Sequence, residues 1–413
     1  MIRSGSLGAG STPTDVPGLK GQGFALLILA TAVGLCGFAA VLPLVPLWAI
    51  RGGTGEFGAG ATTAVFMSTT VLTQLTMPWL LERAAGYKWA FPVGSLIMGV
   101  PTPLFALTTD LTVLLGISAV RGVGFGMVTV AGTALAARLV LKEQVGRATG
   151  YHGLAVGLPQ IVILPGGVAL ALNIGFGTAF WLTGICGVIA AVLSSGILFA
   201  DGGRNRALLS GTDTAPGTSS GPRGLPLLMA LAAPLVLMLA VSSSAGAIVT
   251  FLAIPLEETA WLVSALLAGY ALLLVVGRWS AGMLFDRYGR TTLLLPASIA
   301  AAVGMGLIAS GLWLHDGATP GWEVAVPVLI GSCLFGLGFG AVQNETVTMM
   351  LNRAGPTGHG RASAVWNIGY DGGLGVGAVF LGLIIQLLGY GPAFTVLSVA
   401  LMAVVPLALS RDR

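Results

Sequence analysis

The stretch "DGGRNRALLSGTDTAPGTSSGPR", residues 201–223, decides how the rest of the chain is organised. Its Gly, Ser, Thr and Pro content marks a flexible linker. On both sides of it the composition is of another kind. The 413 residues are 55% hydrophobic and 8% charged, with a mean hydropathy of +0.93, whereas about a quarter of the residues in ordinary soluble domains are charged. Apolar runs long enough to cross a bilayer, roughly 20 residues each, fill both flanks, which excludes a water-soluble protein.

Six runs precede the linker, at residues 23–49, 59–81, 89–109, 111–140, 147–172 and 174–200. Six follow it, at 224–254, 260–285, 291–313, 324–351, 361–387 and 391–409. The 63 glycines and 21 prolines are scattered through these runs, a pattern tolerated in a packed membrane bundle of helices. The expected organisation is a disordered cytoplasmic tail at 1–22, a six-helix bundle at 23–200, a cytoplasmic linker at 201–223 and a second six-helix bundle at 224–413.

An even number of spans returns the chain to the same side, so a duplication must be a parallel repeat about an axis along the membrane normal. "GVGFGMV" at 122–128 matches "GLGFGAV" at 336–342, an offset of 336 − 122 = 214. "RATG" at 147–150 meets "RASA" at 361–364 at the same offset. The fold class expected is therefore all-α, with 12 transmembrane helices in two pseudo-symmetric bundles. Gly369, Gly373 and Gly377 recur every fourth residue and form a small-residue ridge for a close helix neighbour; Gly122 with Gly126 and Gly336 with Gly340 repeat the device.

With both termini placed inside, seventeen of the 19 Lys and Arg residues, Arg278 among them, fall in cytoplasmic segments and membrane edges. Arg51 is left outside and Arg121 within a span. This positive-inside bias sets the orientation, and it accounts for the pI near 9.2 without a nucleic-acid partner. Cys36, Cys186 and Cys333 lie singly in different spans, which argues against a disulfide framework or a thiolate metal site.

Three ionisable residues stand inside spans. Asp371, in "WNIGYDGGLGVG" (366–377), is ten residues beyond Arg361, about 15 Å along a helix and near the middle of a hydrocarbon core of roughly 30 Å. A carboxylate there costs at least about 2.5 kcal/mol, and protonation removes the charge, so Asp371 is a candidate proton carrier. Glu345 lies in the cytoplasmic third and is a second candidate, unless an ion pair with Arg353 or Arg361 satisfies it. Arg121 either changes partners as a carboxylate loads and releases its proton, or clamps carbonyls or an anionic substrate. At the 214-residue offset Asp371 falls opposite Gly157, Glu345 opposite Ala131 and Arg121 opposite Phe335, so the two halves share a scaffold but not these charges.

"GRWSAGMLFDRYGR", residues 277–290, resembles the loop signature of the major facilitator superfamily, G-x-x-x-D-R-x-G-R, through Gly282, Asp286, Arg287, Gly289 and Arg290. "LLERAAGYK" after the second span keeps Glu82, Arg83, Gly86 and Lys88 with one residue too many. Arg121 with "GVGFG" resembles the family's fourth-span arginine motif, "LPGG" at 164–167 resembles the end of its antiporter-associated fifth-span motif, and "VLPLVPLW" with Pro43 and Pro46 and the eleventh-span "WNIGYDGGLGVG" are similar to the twelve-span drug:proton antiporter branch.

The resemblance implies two bundles rocking about a central site. The first, fourth, seventh and tenth spans then line the cavity, and the second, fifth, eighth and eleventh border the opposite half. Arg121 and Glu345 are then near the cavity and Asp371 at the moving boundary. Candidate substrate contacts are Gln74, Gln343, Asn344, Trp366, Asn367 and Tyr370, with Thr69, Thr73 and Ser242, Ser243 and Ser244 beside them.

The function expected is proton-coupled export of a small amphipathic molecule, drug or metabolite by antiport, with uptake by proton symport as the alternative. A transport-inactive sensor or a membrane-embedded enzyme ranks lower, since His152, His315 and His359 are far apart in sequence and neither HExxH nor GxSxG occurs. The partners expected are a small-molecule substrate, protons and membrane lipids, with no cofactor and no metal. The chain is expected to be a monomer in the cytoplasmic cell membrane, multi-pass, with both termini cytoplasmic.

Overall fold

The computed structural model describes residues 18–84, 87–200, 225–289, 291–315, 319–355 and 358–409. Among the described residues the chain is entirely helical. Twelve α-helices follow in order: α1 (Gln22–Arg51), α2 (Glu56–Ala84), α3 (Tyr87–Gly99), α4 (Leu111–Arg138), α5 (Val145–Asn173), α6 (Phe176–Gly196), α7 (Leu225–Phe251), α8 (Ala260–Tyr288), α9 (Leu294–Leu314), α10 (Trp322–Ala354), α11 (His359–Leu388) and α12 (Tyr390–Val404). The linker at 201–223 lies outside the described residues. So does the tail as far as residue 17. The end of the expected tail is ordered: Gly18–Lys20 form a 3-10 turn, and the Leu19 amide donates to Gln144 Oε1 at 3.1 Å.

Local chemistry explains the helix ends. Asp110 caps α4 by accepting from the Val113 amide at 3.1 Å, and Gly289, with φ of 65°, closes α8 in the left-handed conformation that glycine adopts without strain. The third span, expected to run to 109, is helical only to Gly99. Pro101 and Pro103 follow, and the chain continues as a 3-10 helix, Thr102–Leu107.

Among the described residues eleven helices are long and apolar enough to cross a membrane; α2 is the most polar of the twelve. It carries Thr62, Thr63, Thr69, Thr70, Thr73, Gln74 and Thr76, whose hydroxyls mostly bond back to their own helix, as Thr69, Thr73 and Thr76 do. The rest of its polarity faces other helices: Thr70 also donates to the Gly122 carbonyl, Thr63 meets Thr250, and Gln74 meets Thr129 and Asp371. A span so furnished belongs inside the assembly.

The helices pack as two bundles with the same pattern of neighbours. In the first, α2 packs on α4, α3 on α4 and α6, and α1 on α5; in the second, α8 packs on α10, α9 on α10 and α12, and α7 on α11. The paired glycines make these contacts possible. Gly122 and Gly126 face the carbonyls of Phe66 and Thr70 on α2, and Gly336 and Gly340 face those of Tyr270 and Leu274 on α8. Gly369, Gly373 and Gly377 lie against Leu235, Ser242 and Ser243 of α7. The two bundles meet chiefly along α2–α11 and α5–α8, pairs that exchange places under the duplication.

Candidate functional site at the bundle interface

Among the described residues, the hydrogen bonds and the ion pair that cross between bundles begin at one face and stop partway through. At that face Arg51 Nε pairs with Glu257 Oε2 at 3.3 Å, and the Phe57 amide donates to Gln386 Oε1 at 3.3 Å. Deeper, Thr63 and Thr250 hydroxyls meet at 3.3 Å. The last crossing bond runs from Gln74 Nε2 on α2 to Asp371 Oδ2 on α11, at 2.6 Å. From Glu56 to Gln74 the seam is about 27 Å long by helical rise. Glycines allow it to close: Gly60 faces the Ala378 carbonyl and Gly382 the Glu56 carbonyl. Beyond the seam Gly146, Gly150 and Gly153, in the first turns of α5, have nothing near them.

Asp371 is therefore buried at the inner end of a sealed seam. Its short bond to Gln74 joins the two bundles, and Gln74 also donates to Thr129 Oγ1 on α4 at 3.3 Å. The Oε1 atom of Gln74 is buried without a partner. Tyr370, the residue before the acid, stacks on Phe339 at 6.1 Å and on Trp366 at 5.6 Å. These rings wall the α10–α11 side of the site.

The other two intramembrane charges turn elsewhere. Glu345, expected near the cavity, is buried and points toward the start of α9: its Oε1 accepts from the Thr292 and Leu293 amides, each at 3.3 Å. It satisfies orphan donors at a helix N-terminus, and among the described residues it makes no ion pair with Arg353 or Arg361. Glu345→Gln keeps the acceptor oxygen, and we expect a loss of less than about 1 kcal/mol; Glu345→Ala leaves two amides unpaired and costs about 1–3 kcal/mol. Thermal unfolding of the two purified variants would show the difference.

Arg121 is buried with Nε donating to the Met98 carbonyl at 3.1 Å and to Thr102 Oγ1 at 3.0 Å, and its guanidinium lies 5.6 Å from the rings of Phe66 and Phe105. Of the two roles expected for it, this is the geometry of the clamp. It borders a crevice lined by Phe38, Val41, Thr62, Thr63 and Ser118, with about 20 Å³ of room for water centres. That admits water and not a substrate.

Several candidate substrate contacts are occupied by the protein itself. Trp366 Nε1 donates to Thr346 Oγ1 at 3.0 Å, Asn367 Nδ2 to the Ser363 carbonyl at 2.8 Å, and Ser242 Oγ to the Met238 carbonyl at 2.8 Å. His152 is buried beside Gly132 and Phe91, a packing position. Of the loop residues, Gly282 sits beside Asn344 of α10, while Asp286 and Arg287 are exposed at the end of α8. Arg290 and the side chains of Glu82 and Arg83 lie outside the described residues.

One functional candidate escaped the sequence reading. Arg278, assigned there to the cytoplasmic edge, is ten residues before the end of α8, about 15 Å inside the helix by its rise. Its Nη1 reaches Gln343 Oε1 on α10 at 3.5 Å. The arginine therefore faces α10 from within the span. The missed signal was internal: setting Glu82 and Arg83 on Asp286 and Arg287 gives an offset of 287 − 83 = 204, which lays Arg278 on Gln74.

Two like bundles that meet along a seam with a buried acid at its inner end have the architecture of a membrane transport protein. The profile of the Major Facilitator Superfamily matches residues 27–345, and the chain belongs to that family. No curated protein sequence matches it.

Solved structures similar to it include a mutant of the nucleoside transporter NupG, with a TM-score of 0.67 and 11% identity over 95% of this chain and 100% of that one. NupG itself gives 0.66 and 10% over 94% and 98%. A mutant of the peptide transporter POT in complex with sulfate gives 0.74 and 13% over 94% of each chain. At these identities the likeness is one of fold.

Proposed function

We propose that the chain is a proton-coupled secondary transporter that exports a small amphipathic molecule by antiport, with Asp371 as the acid that carries the proton. The observation that supports this reading most is the Gln74–Asp371 bond, because it is the innermost crossing contact of the seam. An acid at that place senses whether the bundles are together or apart.

The chemistry follows from the amide. Charged Asp371 accepts from Gln74 Nε2, as in this conformation. Protonated Asp371 becomes a donor, and Gln74 can turn its unpartnered Oε1 to receive that hydrogen. The bond across the bundles survives in both states, but the charge does not. With the proton on, no bare carboxylate is exposed when the seam parts; with it off, separation requires water or substrate to take the place of Gln74. Proton loading thus favours the opening motion and proton release the closed one.

The alternative is uptake by proton symport on the same fold. Reconstituted vesicles carrying a trapped pH-sensitive dye separate the two. Antiport predicts that substrate added to one side draws protons out on that same side, symport that the proton moves with the substrate. An absence of proton movement during substrate flux would dismiss the coupling.

A further inference from the structure

The duplication supplies a place to look for the substrate's charge. In the first bundle Gln74 of α2 meets Thr129 of α4, and it meets Asp371 of α11 across the interface. Each member has a counterpart. Gln74 maps on Arg278 by the 204 offset, Thr129 on Gln343 by 343 − 129 = 214, and Asp371 on Gly157 by 371 − 157 = 214. The structure repeats the first contact: Arg278 Nη1 meets Gln343 Oε1. It also repeats the helix pairing, since α5 packs on α8 as α11 packs on α2, with Gly157 beside Val275.

The third member is missing. Where Gln74 has a carboxylate on the helix packed against its own, the matching residue of α5, packed on the helix of Arg278, is Gly157. Among the described residues Gln343 Oε1, at the limit of hydrogen-bonding distance, is the acceptor that Arg278 finds. The bond fixes which way the Gln343 amide points, and its Nε2 is left buried without an acceptor. Asn344, the next residue, is partly exposed beside Gly282. The cluster is thus rich in donors and short of acceptors, at mid-depth in a membrane protein.

We infer that Arg278, with Gln343 beside it, is the binding site for an anionic group of the transported molecule, a carboxylate or phosphate that fills the place vacated at Gly157. A planar guanidinium binds either group through two parallel hydrogen bonds. Tyr370, half-buried and stacked on the buried rings of Phe339 and Trp366, offers apolar surface on the α11 side for the remainder of such a molecule. The inference rests on the reading of the chain as a carrier and narrows its substrate to amphipathic anions; it does not depend on Asp371 as the coupling acid.

The test uses the purified full-length protein and matched solutes: benzoate against benzamide, and phenyl phosphate against phenol. At least one anion should raise the unfolding temperature in a concentration-dependent way that its neutral partner does not reproduce. Arg278→Gln should weaken that response at least tenfold in midpoint concentration, and Arg278→Lys should retain part of it. Gly157→Asp restores the missing acid; its new Cβ would meet only Val275, at ordinary contact distance. That protein should fold, ignore the anions, and resist heat as the anion-loaded wild type does.

Failure of every anion to shift the wild type, an equal shift by a neutral partner, or an unchanged response in Arg278→Gln would each show a merely hydrated arginine and overturn the inference. The two readings fail separately. An Asp371→Asn protein that couples protons yet responds to anions removes the coupling assignment alone. A wild type that couples protons but ignores anions removes this one.

Discussion

Asp371→Asn should abolish substrate accumulation driven by a pH gradient, down to the level of protein-free vesicles, while exchange of substrate across the membrane continues. The reason is how little the substitution changes. Asparagine has the size of aspartate, keeps an oxygen that accepts from Gln74 Nε2, and so preserves the innermost crossing bond of the seam. What it lacks is a proton that can come and go. A carrier with this residue resembles one with the proton permanently bound, which we expect to part and close freely but without a cost tied to pH.

The control is Gln74→Leu, which removes the partner instead of the proton. A buried group left without its hydrogen bond costs about 1–3 kcal/mol, so this variant should be less stable than Asp371→Asn and should hold the seam less often closed. Measured together, uphill accumulation, exchange and unfolding temperature separate the roles. Uphill transport that survives in Asp371→Asn would remove the acid from the coupling step.

Much of this site was legible in the sequence, and the exceptions have physical causes. Asp371 stood out because a carboxylate ten residues inside an apolar run has no cheap local explanation. The glycine pairs stood out because spacing of four puts them on one face of a helix, and the structure sets those faces against backbone. The partner of Asp371 could not be read, because Gln74 is 297 positions away and only the packing of α2 on α11 unites them.

Glu345 misled because depth in a helix says nothing about direction. It lies in the tenth span, expected to line the cavity, but points at the amides that begin α9. Arg278 misled for the opposite reason: α8 extends three residues beyond the expected end of its span, from 285 to Tyr288, and the arginine lies well inside it. A charge placed by apolar run lengths drifts toward the membrane edge; a charge placed by the repeat does not.

Gly377→Ala and Gly340→Ala should be poorly tolerated, and Gly372→Ala on the same helix as the first should be harmless or stabilising. A methyl at Gly377 would overlap the Ser243 carbonyl of α7, and one at Gly340 the Leu274 carbonyl of α8. These are backbone atoms in the middle of helices, and they cannot swing aside as a side chain does. Either the helices separate or the chain bends. Overpacking of this kind costs about 1–3 kcal/mol, sometimes more, against a gain of at most about 1 kcal/mol from replacing glycine by alanine in a helix.

At Gly372 a methyl meets nothing within 4 Å, so only the gain remains. Unfolding temperatures of the three purified variants should therefore divide by contact and not by position along the helix. The division also bears on mechanism. Both costly glycines join helices of the same bundle, α11 to α7 and α10 to α8, and the proposed mechanism requires rigid bundles if a change at Asp371 is to move one half against the other. The fraction of Gly377→Ala that does fold should still couple protons, since its seam residues are untouched. Loss of coupling in that folded fraction would mean that α11 moves within its bundle, and a hinge would have to replace the rigid body.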